Sequence, residues 1–209
     1  MATTTPNYGW PVPTSADYVA QGAVAIEALG DAIDATVFGL PAPASGLTLI
    51  NTTTFSAVAS QSINNVFSAT YTNYKVLVTL TSASTEGSQL AIRLRVAGTD
   101  AATTYTYWVM ENNATSSSIF VARSTSATRE FIGYLSNETA IYDLNVSQPF
   151  IAAFTEFTTI YASNTSLGAV SVGGTGFGGH KTATSYDGIS VISTFGTITG
   201  SISIYGVAK

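Results

Sequence analysis

The chain has 209 residues, of which 45% are hydrophobic and only 9% charged, with a net charge of −5. Soluble domains ordinarily carry about 25% charged residues; here Ser, Thr, Asn and Gly fill the difference, a composition suited to strands and turns. The seven basic residues are scattered singly and give no footprint for nucleic acid or an anionic membrane, and the absence of cysteine excludes disulfides and thiolate metal sites.

Residues 1–13, MATTTPNYGWPVP, are uncharged and proline-rich and read as an extended arm, with Tyr8 and Trp10 as aromatic anchors for a partner. The only long helical pattern follows, over residues 14–39. Thr14, behind Pro11 and Pro13, supplies a cap, and Asp17 returns the capping hydrogen bond and suits the helix N-terminus. Gly39 can end the last turn in the left-handed conformation, and Pro41 and Pro43 forbid continuation. Between these limits Val19, Ala23, Ile26, Gly30, Ile33 and Val37 are spaced four, three, four, three, four, the heptad seam of a coiled coil. With Gly22 and Gly30 each costing about 1 kcal/mol relative to alanine, such a helix is marginal alone and needs a partner. Self-association into a short bundle is the expectation. Its charges, Asp17, Glu27, Asp31 and Asp34, are all acidic and repel, so neighbouring domains should help hold the bundle.

The string YGWPVPTS followed by ALGDAIDATV resembles the N-terminal region of fibre-like and minor structural proteins of tailed bacteriophages. The resemblance covers about residues 8–38 and implies a virion protein with no chemistry. By that likeness Tyr8 to Pro13 is a particle-anchoring lead-in and Ala16 to Phe38 an oligomerising stalk.

Residues 40–46, LPAPASG, read as a stiff linker, because proline fixes its own φ and pushes its predecessor to extended geometry. Strand patterns begin beyond it and fill residues 47–209. In Tyr74–Leu80 and again in Gln89–Val96 apolar and polar residues alternate: Leu90, Ile92, Leu94 and Val96 share one face, and Gln89, Ala91, Arg93 and Arg95 the other. Further strands are expected at Thr48–Phe55, Ile63–Phe67, Thr104–Met110, Ser118–Ala122, Arg129–Leu135, Ala140–Val146, Thr158–Ala162, Leu167–Val172, Gly188–Thr194 and Ser201–Val207. Short strands at this spacing, with no crossover helices between them, predict a mainly β fold. The expected form is an antiparallel β-sandwich of the jelly-roll kind, preceded by one N-terminal α-helix that forms an oligomeric stalk. The ending TGSISIYG is similar to the last strands of jelly-roll knobs in phage fibres and spikes.

Signals for chemistry are weak. Gly174, Gly176 and Gly179 have the GxGxxG spacing of a dinucleotide loop, but HKTATSYDG after them has no helical period, so a loop at one end of the sandwich is expected instead. Gly174, Gly176, Phe177 and His180 are then candidates for a distal contact. His180, the single histidine, cannot make a multi-histidine metal site in one chain, and no GxSxG elbow or clustered carboxylates are visible. Neither enzyme activity, cofactor nor metal is expected. Tyr105 and Tyr107 fall on one strand face and Trp108 on the other, so one of these faces is a place where a sugar ring could stack. No run reaches the roughly 18 apolar residues of a spanning helix, and no signal peptide is apparent, so synthesis in the host cytoplasm and residence in the virion are expected.

The resemblance thus implies a structural protein of a tailed-phage particle, an oligomeric fibre, spike or decoration protein joined to other virion proteins by its N-terminal arm; a homotrimer is expected from the fibres it resembles, where the residues alone give only an oligomer. The alternative is a host-surface glycan-binding adhesion module of the same build.

Overall fold

A computed structural model describes residues 3–14, 18, 22–39, 46–113, 118–164 and 171–208. The chain divides into two compact units, Met1–Ser45 and Gly46–Lys209. Val19 and Asp17, and linker residues 40–45, lie outside the described residues, as does most of the strand expected at Leu167–Val172.

In the first unit β1 (Thr3–Thr4) and β2 (Pro11–Val12) pair antiparallel, and α1 spans Gly22–Gly39. The arm turns back on itself: the Gly9 and Trp10 amides donate to the Thr5 carbonyl and hydroxyl, and the Tyr8 and Trp10 rings stack with centroids 5.1 Å apart. The Trp10 indole N–H donates to Thr36 Oγ1 at 2.9 Å, and that hydroxyl donates to the Ala32 carbonyl one turn back. Half-buried positions Ala25, Leu29, Ala32 and Thr36 form one stripe of α1. The heptad seam lies one residue further round and is exposed at Ala23, Ile26, Gly30, Ile33 and Val37. No residue of the helix is buried.

The second unit is an antiparallel β-sandwich. Its larger sheet has the order β3 (Leu47–Val58), β15 (Ile198–Val207), β5 (Asn73–Ala83), β11 (Ala140–Ser147), β12 (Ala153–Asn164), β13 (Ser171–Thr184), β8 (Tyr105–Asn113), β9 (Phe120–Ala127). The smaller has β10 (Glu130–Tyr134), β6 (Gln89–Val96), β14 (Gly188–Ser193) and β4 (Ser60–Ile63), with β7 (Thr99–Asp100) on β6. Strands β8, β9, β12 and β13 come from two excursions of the chain and extend the larger sheet on one side only.

The alternation read from the sequence is what places the core. Tyr74, Val76, Val78 and Leu80 of β5 face Leu90, Ile92 and Leu94 of β6 across the sandwich, joined by Tyr142, Leu144, Val146, Ile189, Val191, Ile202 and Ile204, all buried. Each fully buried aliphatic or aromatic side chain contributes about 1.5–3 kcal/mol of hydrophobic stabilisation. On the far face of β6, Arg95 is covered by a two-residue hairpin. Ala97 and Gly98 both have positive φ, as a type I′ turn requires, and the turn sets Asp100 opposite Arg95. Arg95 also donates to Asn64 Oδ1 at 2.9 Å, Ser62 Oγ at 2.9 Å and Ser190 Oγ at 2.8 Å. The face of β6 that carries Gln89, Ala91, Arg93 and Arg95 is at this point a closed polar network.

One expectation is corrected. Residues Gly173–Gly179 are not a distal loop but the middle of β13, hydrogen-bonded on both sides to β12 and β8. Glycine has poor strand propensity, and the local sequence therefore reads as loop. The reason for the glycines is close approach. A Cβ on Gly174 would stand 2.5 Å from the Tyr161 ring, and one on Gly178 would overlap the Glu130 carboxyl and the Thr106 carbonyl.

Candidate functional site

Because side chains alternate along a strand, β13 sorts the expected contact residues onto opposite faces. Gly174, Gly176 and His180 point into the sandwich and Phe177 alone points out. His180 is buried, its Nδ1 lying 2.9 Å from the Tyr186 hydroxyl and its Nε2 3.2 Å from Thr104 Oγ1, with the Tyr105 ring edge-on at 4.5 Å. Burial lowers its pKa and keeps the ring neutral. It is a structural residue of the interior.

Two carboxyls share that interior. Glu130 is 2% exposed, and burial pushes it up to about 9, so it is protonated at neutral pH; its Oε2 has no hydrogen-bond partner. Glu111 is raised too, by burial, and accepts from the Tyr161 hydroxyl, whose ring stacks on Tyr142 with centroids 5.7 Å apart. Neither faces a nucleophile or a second carboxyl in an open cleft, and among the described residues no three His, Cys, Asp or Glu side chains converge on a metal position.

The outward face of the extension is different. Phe177 of β13 stands in register with Trp108 of β8, and their rings stack with centroids 5.0 Å apart at 29°. On the next strands Thr158 of β12 pairs with Phe177, and Arg123 of β9 with Trp108. One row further along, Gly179 sits between Glu156 and Thr106. The missing side chain at Gly179 leaves a notch, which Phe154 and Lys181 border. The resulting groove has a volume of about 500 Å³. Phe177 is 57% and Phe154 63% exposed, so most of both rings faces solvent. Lys181 Nζ reaches back to the Thr125 carbonyl at 3.3 Å.

A second depression of about 380 Å³ lies towards the centre of the same face, among Leu77, Ile141, Ile160 and Ala162, beside the Lys75–Asp143 ion pair at 2.7 Å. Ile141 and Ile160 are both exposed.

The sequence marked Trp108 as lying opposite Tyr105 and Tyr107, and the structure agrees: Tyr105 is buried and Tyr107 packs on Phe131, while Trp108 faces outward. Phe154 and Glu156 were not identified, and Gly179 is expected from the sequence only as part of a glycine-rich loop. The signal for the first two is the alternation of β12, which places Phe154, Glu156, Thr158 and Ile160 on one face.

No family model matches the chain, and no curated protein matches it. Among solved structures it is similar to the CBM2 module of the evolved Dit of Lactobacillus casei BL23 phage J-1, at 8% identity and a TM-score of 0.27, over 72% of this chain and 69% of that one. A likeness of that size says nothing of shared chemistry. No helix among the described residues is long and apolar enough to cross a membrane.

Proposed function

We propose that the chain is an assembling structural protein of a tailed-phage particle, a trimeric fibre, spike or decoration protein. Its helix is the oligomeric stalk and its sandwich a jelly-roll knob. The observation that carries this is the open seam of α1: Ile26 is 66% and Val37 58% exposed on a helix that buries nothing. An 18-residue helix whose contact with the arm, through Trp10 on Thr36, leaves none of its residues buried is marginal in water, and exposed apolar stripes of this kind are covered by partners. Three copies of the seam cover one another. Tyr8, 64% exposed and held by stacking on Trp10, is the contact offered to the particle.

Strand order supports the jelly-roll reading. Strands β3, β15, β5 and β11 form one set of four and β10, β6, β14 and β4 the facing set, and the chain changes set at every step between them except from β6 to β10. The test is light scattering on the purified protein at micromolar concentration. The expected result is a trimer, shifted towards monomer by Ile26→Asp with Ile33→Asp, since each places a charge in a desolvated seam. A monomeric wild type overturns the reading.

The second reading, adhesion to a host-surface glycan, is favoured by one separate observation: the exposed aromatic groove at Phe154 and Phe177.

A further inference from the structure

We infer that the outward groove between β12, β13 and β8 binds a neutral saccharide, one pyranose ring seated on the Gly179 notch against Phe177 and Phe154. This rests on the adhesion reading and gives it a site and a ligand class.

Two phenyl rings more than half exposed present flat apolar surface that gains by covering, and Trp108 behind Phe177 fixes that ring by stacking, so little side-chain freedom is lost when a ligand lands on it. A pyranose has the complementary form, with an apolar face of C–H groups and an equatorial belt of hydroxyls. The belt meets groups able to accept and donate: the Glu156 carboxylate, the Lys181 ammonium and the Thr106 and Thr158 hydroxyls all border the notch. At Gly179 the absent side chain lets a ligand approach the strand itself. The volume of about 500 Å³ suits one or two sugar rings, within the roughly 300–1,000 Å³ range of small-molecule sites.

The same features argue against other occupants. One carboxylate and one ammonium balance at the rim, so neither a polyanion nor a polycation is selected. An acyl chain would leave the rim groups unpartnered. A second copy of this chain is better suited to the depression at Ile141 and Ile160, which is apolar and distinct from the groove.

The chain contains two tryptophans, Trp10 and Trp108, so in the full-length Trp10→Phe protein the fluorescence reports Trp108 alone. That protein is titrated with glucose, galactose, mannose, rhamnose and N-acetylglucosamine and with their β-linked disaccharides, up to about 100 mM, a range chosen because single-ring ligands of exposed sites bind weakly. At least one sugar is expected to change the emission saturably. Phe154→Ala and Glu156→Gln should each weaken that sugar at least tenfold, while Ile141→Ser, in the other depression, leaves it unchanged; thermal melts confirm that each variant is folded. No saturable response to any of these sugars overturns both the site and the adhesion reading. A saturable response that Phe154→Ala and Glu156→Gln leave intact overturns the site alone. Neither result depends on oligomeric state, which light scattering reads separately.

Discussion

Phe177 and Trp108 face each other across β13 and β8 in register, 69 residues apart in sequence, with their rings stacked at 5.0 Å. Stacked aromatic pairs are worth about 0.5–1.5 kcal/mol beyond the area they bury. A double-mutant cycle on Phe177→Ala and Trp108→Ala, read by chemical denaturation, should therefore give a coupling energy of about 1 kcal/mol. A coupling near zero would mean that the two rings do not hold one another, and the preorganised wall of the groove would be lost with it.

Stability should fall as pH rises from about 5 to 9, and Glu130 is the cause. Its carboxyl is pushed up to about 9 in the folded protein by burial, against an unfolded value near 4.5. Between those values the folded state holds a proton that the unfolded state has lost, so the contribution is full below the unfolded pKa and disappears as pH rises through the folded one. The limiting slope is about 1.4 kcal/mol per pH unit. Glu130→Gln, neutral at every pH, should flatten this limb and melt higher than wild type at pH 8; equal slopes in the two proteins would contradict the assignment.

His180 works in the other direction at acid pH. Its folded pKa lies below 6.5 because of burial, so its contribution is present above 6.5 and is lost as pH falls through the folded value. His180→Gln should remove part of the acid limb below pH 6.5. Melting temperatures between pH 4 and 7 for the two proteins check it.

Gly178→Ala should destabilise the sandwich by about 1–3 kcal/mol, since the added methyl overlaps the Glu130 carboxyl and the Thr106 carbonyl, and the latter belongs to the backbone of the neighbouring strand β8. Gly87→Ala would be a poor control because its φ is +73°. Gly46, with open space around it and no positive φ, is the better one: Gly46→Ala should melt as wild type does. Equal melting of Gly178→Ala and Gly46→Ala would show that β13 tolerates side chains on its inner face.

A chain beginning at Gly46 should fold and melt cooperatively, because the compact unit Gly46–Lys209 contains the whole buried core. Loss of cooperative melting would place the helix in that core.

The strands that were legible in the sequence are those with one wet and one buried face. Gln89–Val96 is found within the residues expected, because Leu90, Ile92 and Leu94 must be inside and that fixes the register of everything beside them. β13 was not legible: its glycines carry no alternation, and its identity as a strand comes from β12 and β8, which pair with it from opposite sides. The groove was hidden for the same reason. Phe154, Gly179 and Thr106 meet only because two excursions of the chain extend one sheet, and no local pattern encodes which distant strands become neighbours. The helix Gly22–Gly39 was legible because its apolar period and its stop at Gly39 are local signals, although the expected seam position Val19 lies outside the described residues.

The edge strand β3 has a mechanical consequence. It is paired on one side only, to β15, from Leu47 opposite Val207 to Val58 opposite Ile198, and the Ala208 amide donates to the Gly46 carbonyl where the two strands end together. Tension entering at Gly46 along the strand axis is shared by the whole ladder, because every hydrogen bond must shear at once. Tension entering at the same point but across the sheet opens the Leu47 end first and then each pair in turn. The sandwich is therefore stiff to an axial pull and yields to a sideways one, an anisotropy that single-molecule pulling from residue 46 in two geometries would measure as two different unfolding forces.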